Sequence, residues 1–269
     1  MKSVRRAQVA ALNRRAWNDV SDRLQASSFH RDLTPAFFRR GRLTLWPLER
    51  RLMGPVRGKT LLHLQCGAGE DTLSWAVLGA RVTGVDIAEK RIAAARARAA
   101  AAGLRADFQR ADATRLPLRP ASFDLAYTSR GALVWLHDLG PWARGLARVL
   151  KPGGTLLICD EHPFLNCLVQ RGRRAPSVGW DYFDQRPRAW SGWWWLKRGG
   201  PKSPKAETAW KLSDVLNALA GAGLVLERAE ESPEATGLEF HLPRRRRGIL
   251  PQTLAQVWRK PLTPRNRLR

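Results

Sequence analysis

The sequence predicts an α/β fold, a doubly wound sheet of parallel strands. Three observations carry that expectation. Short apolar runs suited to buried strands alternate with helix-forming stretches from residue 60 to residue 161. The spacing leaves room for right-handed crossover helices between parallel neighbours. The chain has 269 residues, 44% of them hydrophobic, which suits one large core with an insertion and tails.

Each element has its own reason. Residues 7–25 predict an amphipathic helix, because Val9, Leu12, Ala16, Val20 and Leu24 recur at steps of three and four. Residues 30–58 hold several prolines and glycines and read as a connecting segment. TLLHLQ (60–65) is the first strand and EDTLSWAVLG the helix after it. RVTGVD (81–86) is the second strand. AEKRIAAARARAAAAG follows as a helix, since alanine and arginine favour it and Gly103 supplies a left-handed stop. ADFQRAD (106–112) and SFDLAYTS (122–129) are the third and fourth strands. DLGPWARGLARVLKPGG reads as a helix with Pro141 near its start and Pro-Gly-Gly as its stop. TLLICDE (155–161) is the fifth strand.

Residues 163–206 break this rhythm with WDYFDQRPRAWSGWWWLKRGGPKSPK, too long for an ordinary connection. SDVLNALAGAG (213–223) predicts a helix capped by Ser213 and stopped by Gly223. LVLERAE is the sixth strand, and GILPQTLAQVWRKP (248–261) the last. The expected organisation is an N-terminal helical cap segment (1–58), a cofactor-binding core (59–162) and a Trp-rich insertion or lid (163–206). A C-terminal helix with the last two strands (207–261) and a basic tail (262–269) complete it.

Lys and Arg number 47 against 23 Asp and Glu, a formal net charge of +24. Such an excess suits weak binding to an anionic partner, such as RNA or phospholipid headgroups. It also suits arginine spread over a solvated surface. The arginines run from end to end, Arg244 to Arg247 and the tail RNRLR included, which favours the second reading. No run of about 18 apolar residues exists, so no membrane span is expected. The apolar patch near the N-terminus is broken by Asn13, Arg14 and Arg15, a poor signal peptide. Cys66, Cys159 and Cys167 are too scattered for a disulfide framework or zinc site. A reducing cytoplasm and no metal are the expectation.

Ligands of doubly wound sheets bind at the carboxyl ends of the strands. After the first strand, Gly67 and Gly69 let backbone N–H groups approach a ligand, and the helix start beyond suits an anionic group. Asp86 closes the second strand, where a carboxylate can accept from ribose hydroxyls. Asp112 and Ala113 close the third, where an acid and a free N–H can read an adenine. Each feature alone has an ordinary reading, as turn glycines, a helix cap or a turn residue. Together and in this order they point to a nucleoside site.

HLQCGAG, GVD, ADAT, FDLAYTS and LARVLKPGG resemble, in register, the motifs of the class I S-adenosylmethionine-dependent methyltransferases. NRRAW, WLHDLGPWA and Glu161-His162-Pro163 are similar to a bacterial group of uncharacterised small-molecule-type members. The resemblance covers residues 60–161 closely. It implies a Rossmann-like seven-stranded sheet, mostly parallel with an antiparallel last strand. It also implies S-adenosyl-L-methionine as cofactor and a small-molecule methyl acceptor. By residue, Gln65, Cys66, Gly67 and Gly69 would wrap the methionine moiety and Asp86 would bind the ribose. Asp112 and the Ala113 amide would bind adenine, and Thr128 and Ser129, just past the fourth strand, would border the methyl group.

Two positions depart from the family. Its usual acid, which faces the cofactor's ammonium side, falls on His63, and its usual first glycine on Gln65. Glu70 or Asp71 could supply the charge, or simply complement the helix dipole. On this pattern His63→Asp preserves or tightens cofactor binding.

The reaction implied is an in-line displacement, for which the protein aligns donor and nucleophile and excludes water. A general base serves a hydroxyl or ammonium acceptor. His162, just beyond the fifth strand, is the first candidate, or else a turn residue before Pro163. Glu161 would orient it or bind an acceptor amine. Tyr127 is expected in packing, and His137 at a helix start. Trp190, Trp193, Trp194 and Trp195 would line an acceptor pocket or pin the insertion. The cysteines form no paired nucleophile for cytosine-5 methylation, and no Asn/Asp-Pro-Pro-aromatic motif follows the fourth strand. Three rivals stand beside the small-molecule reading. The charge suggests an RNA methyltransferase, and His63 and Gln65 suggest a non-catalytic cofactor-binding protein. The Rossmann pattern suggests a nicotinamide enzyme, whose third glycine would fall at Thr72.

Overall fold

In the computed structural model, residues 2–27, 32–170, 176–193, 200–234 and 249–262 are described. Arg244 to Arg247, Trp194, Trp195 and the tail from Arg265 to Arg269 lie outside them. In chain order the first elements are β1 (Lys2–Ser3), α1 (Arg6–Gln25), α2 (Pro35–Arg39) and α3 (Pro47–Met53). Then come β2 (Thr60–Leu64), α4 (Glu70–Val77), β3 (Arg81–Asp86), α5 (Glu89–Ala102) and β4 (Ala106–Arg110). The central run ends with β5 (Phe123–Ser129), α6 (Leu139–Val149) and β6 (Leu150–Glu161). After these lie β7 (Leu168–Val169), β8 (Ser177–Val178), β9 (Arg188–Ser191) and β10 (Pro204–Glu207). The chain closes with α7 (Leu212–Gly221), β11 (Val225–Ser232) and β12 (Thr253–Arg259).

Seven strands form one sheet in the order β11-β12-β6-β5-β2-β3-β4. All its pairs from β6 to β4 are parallel, while β12 runs antiparallel to both β6 and β11. The expected mostly parallel sheet with an antiparallel last strand is therefore present. Alternation along the strands splits the core. Leu62, Leu64, Ala126, Leu156 and Ile158 face α6 and α7, meeting Trp142, Leu146 and Val215. Leu61, Leu125, Tyr127 and Leu157 face the other way, onto Trp75, Met53 and Val56. The chain moves outward from β2 to β4, then returns to place β5 against the other side of β2. Strand order reverses there, so the crevice above β2 and β5 is the natural ligand site.

Three local expectations are corrected. The segment 30–58 contains two helices, because Pro35 and Pro47 start helices rather than break them. Thr34 Oγ1 accepts from the Phe37 N–H at 3.3 Å, and Glu49 accepts from the Trp46 N–H at 2.7 Å. The helix before the fifth strand ends at Val149, and Leu150 to Gly154 already belong to β6. The Gly153 N–H donates to the Lys260 carbonyl at 2.8 Å, and a Cβ on Gly154 would stand 2.8 Å from the Lys151 carbonyl oxygen. These glycines serve a strand that is closely approached, not a helix stop. Ser213 lies inside α7, which starts after Lys211.

The Trp-rich segment builds a second, three-stranded sheet, β1-β9-β10. Trp193 packs on Trp17 of α1, ring centroids 4.6 Å apart, and on Trp135 at 6.0 Å. The buried Lys205 ammonium sits 4.3 Å from the Trp190 ring and 4.1 Å from that of Trp193. Both rings are thus used in pinning this segment. Asn13, buried on α1, completes the attachment. Its Nδ2 donates to the Ala206 carbonyl and its Oδ1 accepts from the Ala206 N–H, both at 2.8 Å. Asn13→Ala strands two buried backbone groups and should cost about 2 kcal/mol. That corresponds to a fall of roughly 5 °C in melting temperature, read by calorimetry. An unchanged transition would show that the pairing carries no stability.

Candidate active site

The loop after β2 turns left-handed three times, at Gln65 (φ 53°), Gly67 (φ 57°) and Gly69 (φ 82°). Such a conformation costs a non-glycine residue energy, so Gln65 must be held. Its Nε2 donates to the Ala132 carbonyl at 2.7 Å and ties the loop to the segment after β5. The Cys66 N–H donates to Val85 at 2.9 Å, and its thiol is buried in a cluster with Phe38, Leu73 and Phe108. Only the backbone of Cys66 therefore belongs to the loop's outer face. The two glycines answer different demands. A Cβ on Gly69 would stand 2.8 Å from Phe108 Cζ, so packing beneath the loop excludes one. On Gly67 the nearest atom would be Arg91 Nη2, the far end of a flexible side chain, at 2.5 Å.

Asp86 meets this loop directly. Its Oδ2 accepts from the Gly67 N–H and its Oδ1 from the Ala88 N–H, each at 2.9 Å. Burial raises its carboxyl above the ordinary range, opposed by those amides and by Arg91. Each oxygen retains a lone pair, which fits the hydroxyls of a ribose. The Ala111 N–H donates to the Asp86 carbonyl at 2.9 Å and so brings the end of β4 alongside. Asp112 Oδ1 accepts from both the N–H and the hydroxyl of Thr114, at 2.9 and 2.8 Å. Ala113 beside it is buried. Thr128 and Ser129 are the last residues of β5 rather than beyond it, and both are buried.

A polar cluster fills the space behind the loop. His63 Nδ1 lies 2.8 Å from Thr72 Oγ1, and its ring is 4.8 Å from that of Tyr127. Burial lowers its pKa to about 4, so it is neutral near pH 7. Arg130 pairs with Asp71 at 2.7 Å and with Glu49 at 3.4 Å. The Tyr127 hydroxyl donates to Glu49, and that of Thr44 to Asp71. Burial and the charge of Asp71 push Glu49 up to about 7, while Asp71 stays below the ordinary range beside Arg130 despite its burial. Glu70 pairs with Arg98 at 2.9 Å. Beside its expected effect on cofactor binding, His63→Asp has a consequence for stability. The new carboxylate would join two others around one guanidinium and cost stability.

On the other side of the crevice, Asp160 is 3% exposed and accepts from the N–H groups of Gly131, Leu133 and Glu161. It anchors the segment that Gln65 also grips, and it was absent from the sequence reading. An acid ending the apolar run LLIC was the available signal. Glu161 lines a small pocket with Gly131, Val134, Pro163, Asn166 and Trp210. Burial, then Asp160 and Glu207, push its carboxyl up to about 8. Glu207, at the end of β10, is raised by burial to about 7. His162 has a different environment. Its Nδ1 accepts from the Phe164 N–H at 3.2 Å, and its Nε2 lies 2.9 Å from Glu231. Both ring nitrogens are engaged in capping the turn Pro163–Cys167 and tying it to β11.

Neutral His63 implies a stability change on acidification. The unfolded state takes up this proton near pH 6.5 and the folded state only near pH 4. Stability therefore falls as pH drops through that window. His63→Gln should flatten the fall in denaturant midpoints measured between pH 7 and pH 4, and identical profiles would exclude His63 as the cause.

Residues 62–158 match a family described as Methyltransferase domain. The chain is 32% identical over 178 residues to a demethylmenaquinone methyltransferase of Clavibacter sepedonicus, covering 59% of this chain and 71% of that protein. It is 41% identical over 122 residues to the 27-O-demethylrifamycin SV methyltransferase of Amycolatopsis mediterranei, 42% of this chain and 43% of that one. Against a ubiquinone biosynthesis O-methyltransferase of Caulobacter vibrioides the identity is 33%, and the chain spans about half, 53%, of its length. A solved S-adenosylmethionine-dependent methyltransferase from Mesorhizobium loti is similar with a TM-score of 0.61 at 28% identity, covering 80% of this chain and 96% of that one. With the strand order and the motifs at the strand ends, these likenesses lead to one family: the chain belongs to the class I S-adenosylmethionine-dependent methyltransferases.

Proposed function

We propose that the chain methylates a hydroxyl or amine of a small molecule, with Glu161 taking up the acceptor's proton. The observation that carries this is the Glu161 carboxyl, raised to about 8 in a pocket at the end of β6. A base with a pKa near the working pH suits removal of such a proton. One relative named above is an O-methyltransferase by name, and another is named for a 27-O-demethyl compound, which favours the hydroxyl.

The cofactor supplies a methyl group already activated on a sulfonium, so the protein's task is placement. In this reading the loop Gln65 to Gly69 surrounds the methionine moiety, with Gly67, which has only the flexible end of Arg91 over it, giving room. Asp86 accepts from the ribose hydroxyls. Asp112, through the oxygen its turn leaves over, and the Ala113 amide take the adenine edge. Thr128 and Ser129 close the site below the methyl group. The proton-accepting role expected of His162 passes to Glu161, because both nitrogens of His162 are engaged. His162 fixes the turn that follows Glu161.

Calorimetric titration with S-adenosylmethionine tests the cofactor site. Asp86→Ala should weaken binding by about a hundredfold, the loss of two charge-assisted hydrogen bonds. Absence of binding to the wild type would sink the reading. Transfer of labelled methyl from the cofactor into extract metabolites tests the reaction. Turnover should climb as pH rises through about 8, where Glu161 ionises beside Asp160 and Glu207. Glu161→Gln should cut turnover by roughly a hundredfold with cofactor affinity unchanged. Label recovered in RNA instead would favour the reading suggested by the charge of +24.

A further inference from the structure

Arg91 is a charged group at this site to which the methyl-transfer reading gives no work. It is the third residue of α5 and only 7% exposed. Its Nη1 is buried and meets no hydrogen-bond acceptor. Its Nη2 covers the side-chain-free face of Gly67. The guanidinium carbon stands 5.6 Å from the Trp17 ring, which covers it from α1. Its charge also lowers the pKa of Asp86.

The neighbouring acids are occupied elsewhere. Asp86 holds the Gly67 and Ala88 amides. Glu70 pairs with Arg98, and Glu89 with Arg14 at 3.0 Å. A guanidinium cannot shed its charge, and burial without acceptors is costly. The position therefore calls for an anion from outside the chain.

We propose that Arg91 binds the carboxylate of the cofactor's methionine end. This rests on the cofactor site described above. The cofactor offers one anionic group; its other polar parts are a sulfonium, an ammonium, hydroxyls and a base. Gly67 carries no side chain, so the long arm of Arg91 can leave the loop face as the ligand arrives and pair with the carboxylate. The departure at His63 fits the same scheme. The acid that would meet the ammonium is replaced by a neutral ring behind the loop. Recognition moves to the opposite charge of the amino-acid end.

Two ligands that differ only in that carboxylate isolate the contact: S-adenosylmethionine and its decarboxylated form. Calorimetry on the full chain should show the wild type preferring the first by roughly tenfold to a hundredfold. Arg91→Met should remove the preference and leave affinity for the decarboxylated ligand within about twofold, which also reports an intact site. Arg91→Lys, which keeps the charge, should retain part of the preference. A preference undiminished in Arg91→Met overturns the proposal, as does an equal loss for both ligands. A gain for both would make Arg91 an obstacle and overturn it too. A wild type that binds neither ligand would fell the cofactor-site reading itself, and this inference with it.

Discussion

The Asp86 carboxylate holds the site's geometry together. By accepting from Gly67 on one side and Ala88 on the other, it locks the loop after β2 to the turn after β3. The loop is costly in isolation, with three left-handed residues in five. It persists because its neighbours leave it no alternative. Phe108 fills the space beneath Gly69 and Gly84, and Gln65 reaches across to Ala132. Asp160 then holds the far bank through three amides. Two carboxylates at strand ends thus shape the crevice before any ligand enters it.

Behind the crevice the chain solves a harder problem, several ionisable groups in a space with little water. One guanidinium, Arg130, serves two carboxylates, and the balance leaves Asp71 ionised while Glu49 shifts upward. His63 stays neutral between Thr72 and Tyr127. The cluster braces the sheet end through Glu49 of α3 and Asp71 of α4. A neutral residue at position 63 is compatible with this arrangement.

Much of the fold was legible because its signals are local. Strand-length apolar runs, alanine-rich helix and strand-end acids each state their role within a few residues. The prolines at 35 and 47 misled because the same residue that breaks a helix interior opens a first turn. Gly153 and Gly154 misled because a helix stop and a tightly approached strand both ask for glycine. The site was legible where it depends on strand ends, as at Gly67 and Asp86. It was not where a partner comes from far along the chain: Glu207 reaches Glu161, Glu49 reaches Arg130, and Trp17 covers Arg91. His162 looked catalytic by position, while its Nε2 is held by Glu231, 69 residues away, and its Nδ1 by the Phe164 N–H.

The Asn13 amide has a consequence beyond attachment. Ala206 lies on β10, the outer strand of its small sheet, and turns its N–H and carbonyl away from β9 toward α1. An outer strand with such groups open is a template onto which another polypeptide can add as one more strand. Asn13 imitates that extra strand with a single side chain. The small sheet thereby meets its own helix at Ala206, where a second molecule could otherwise extend it into a shared ribbon.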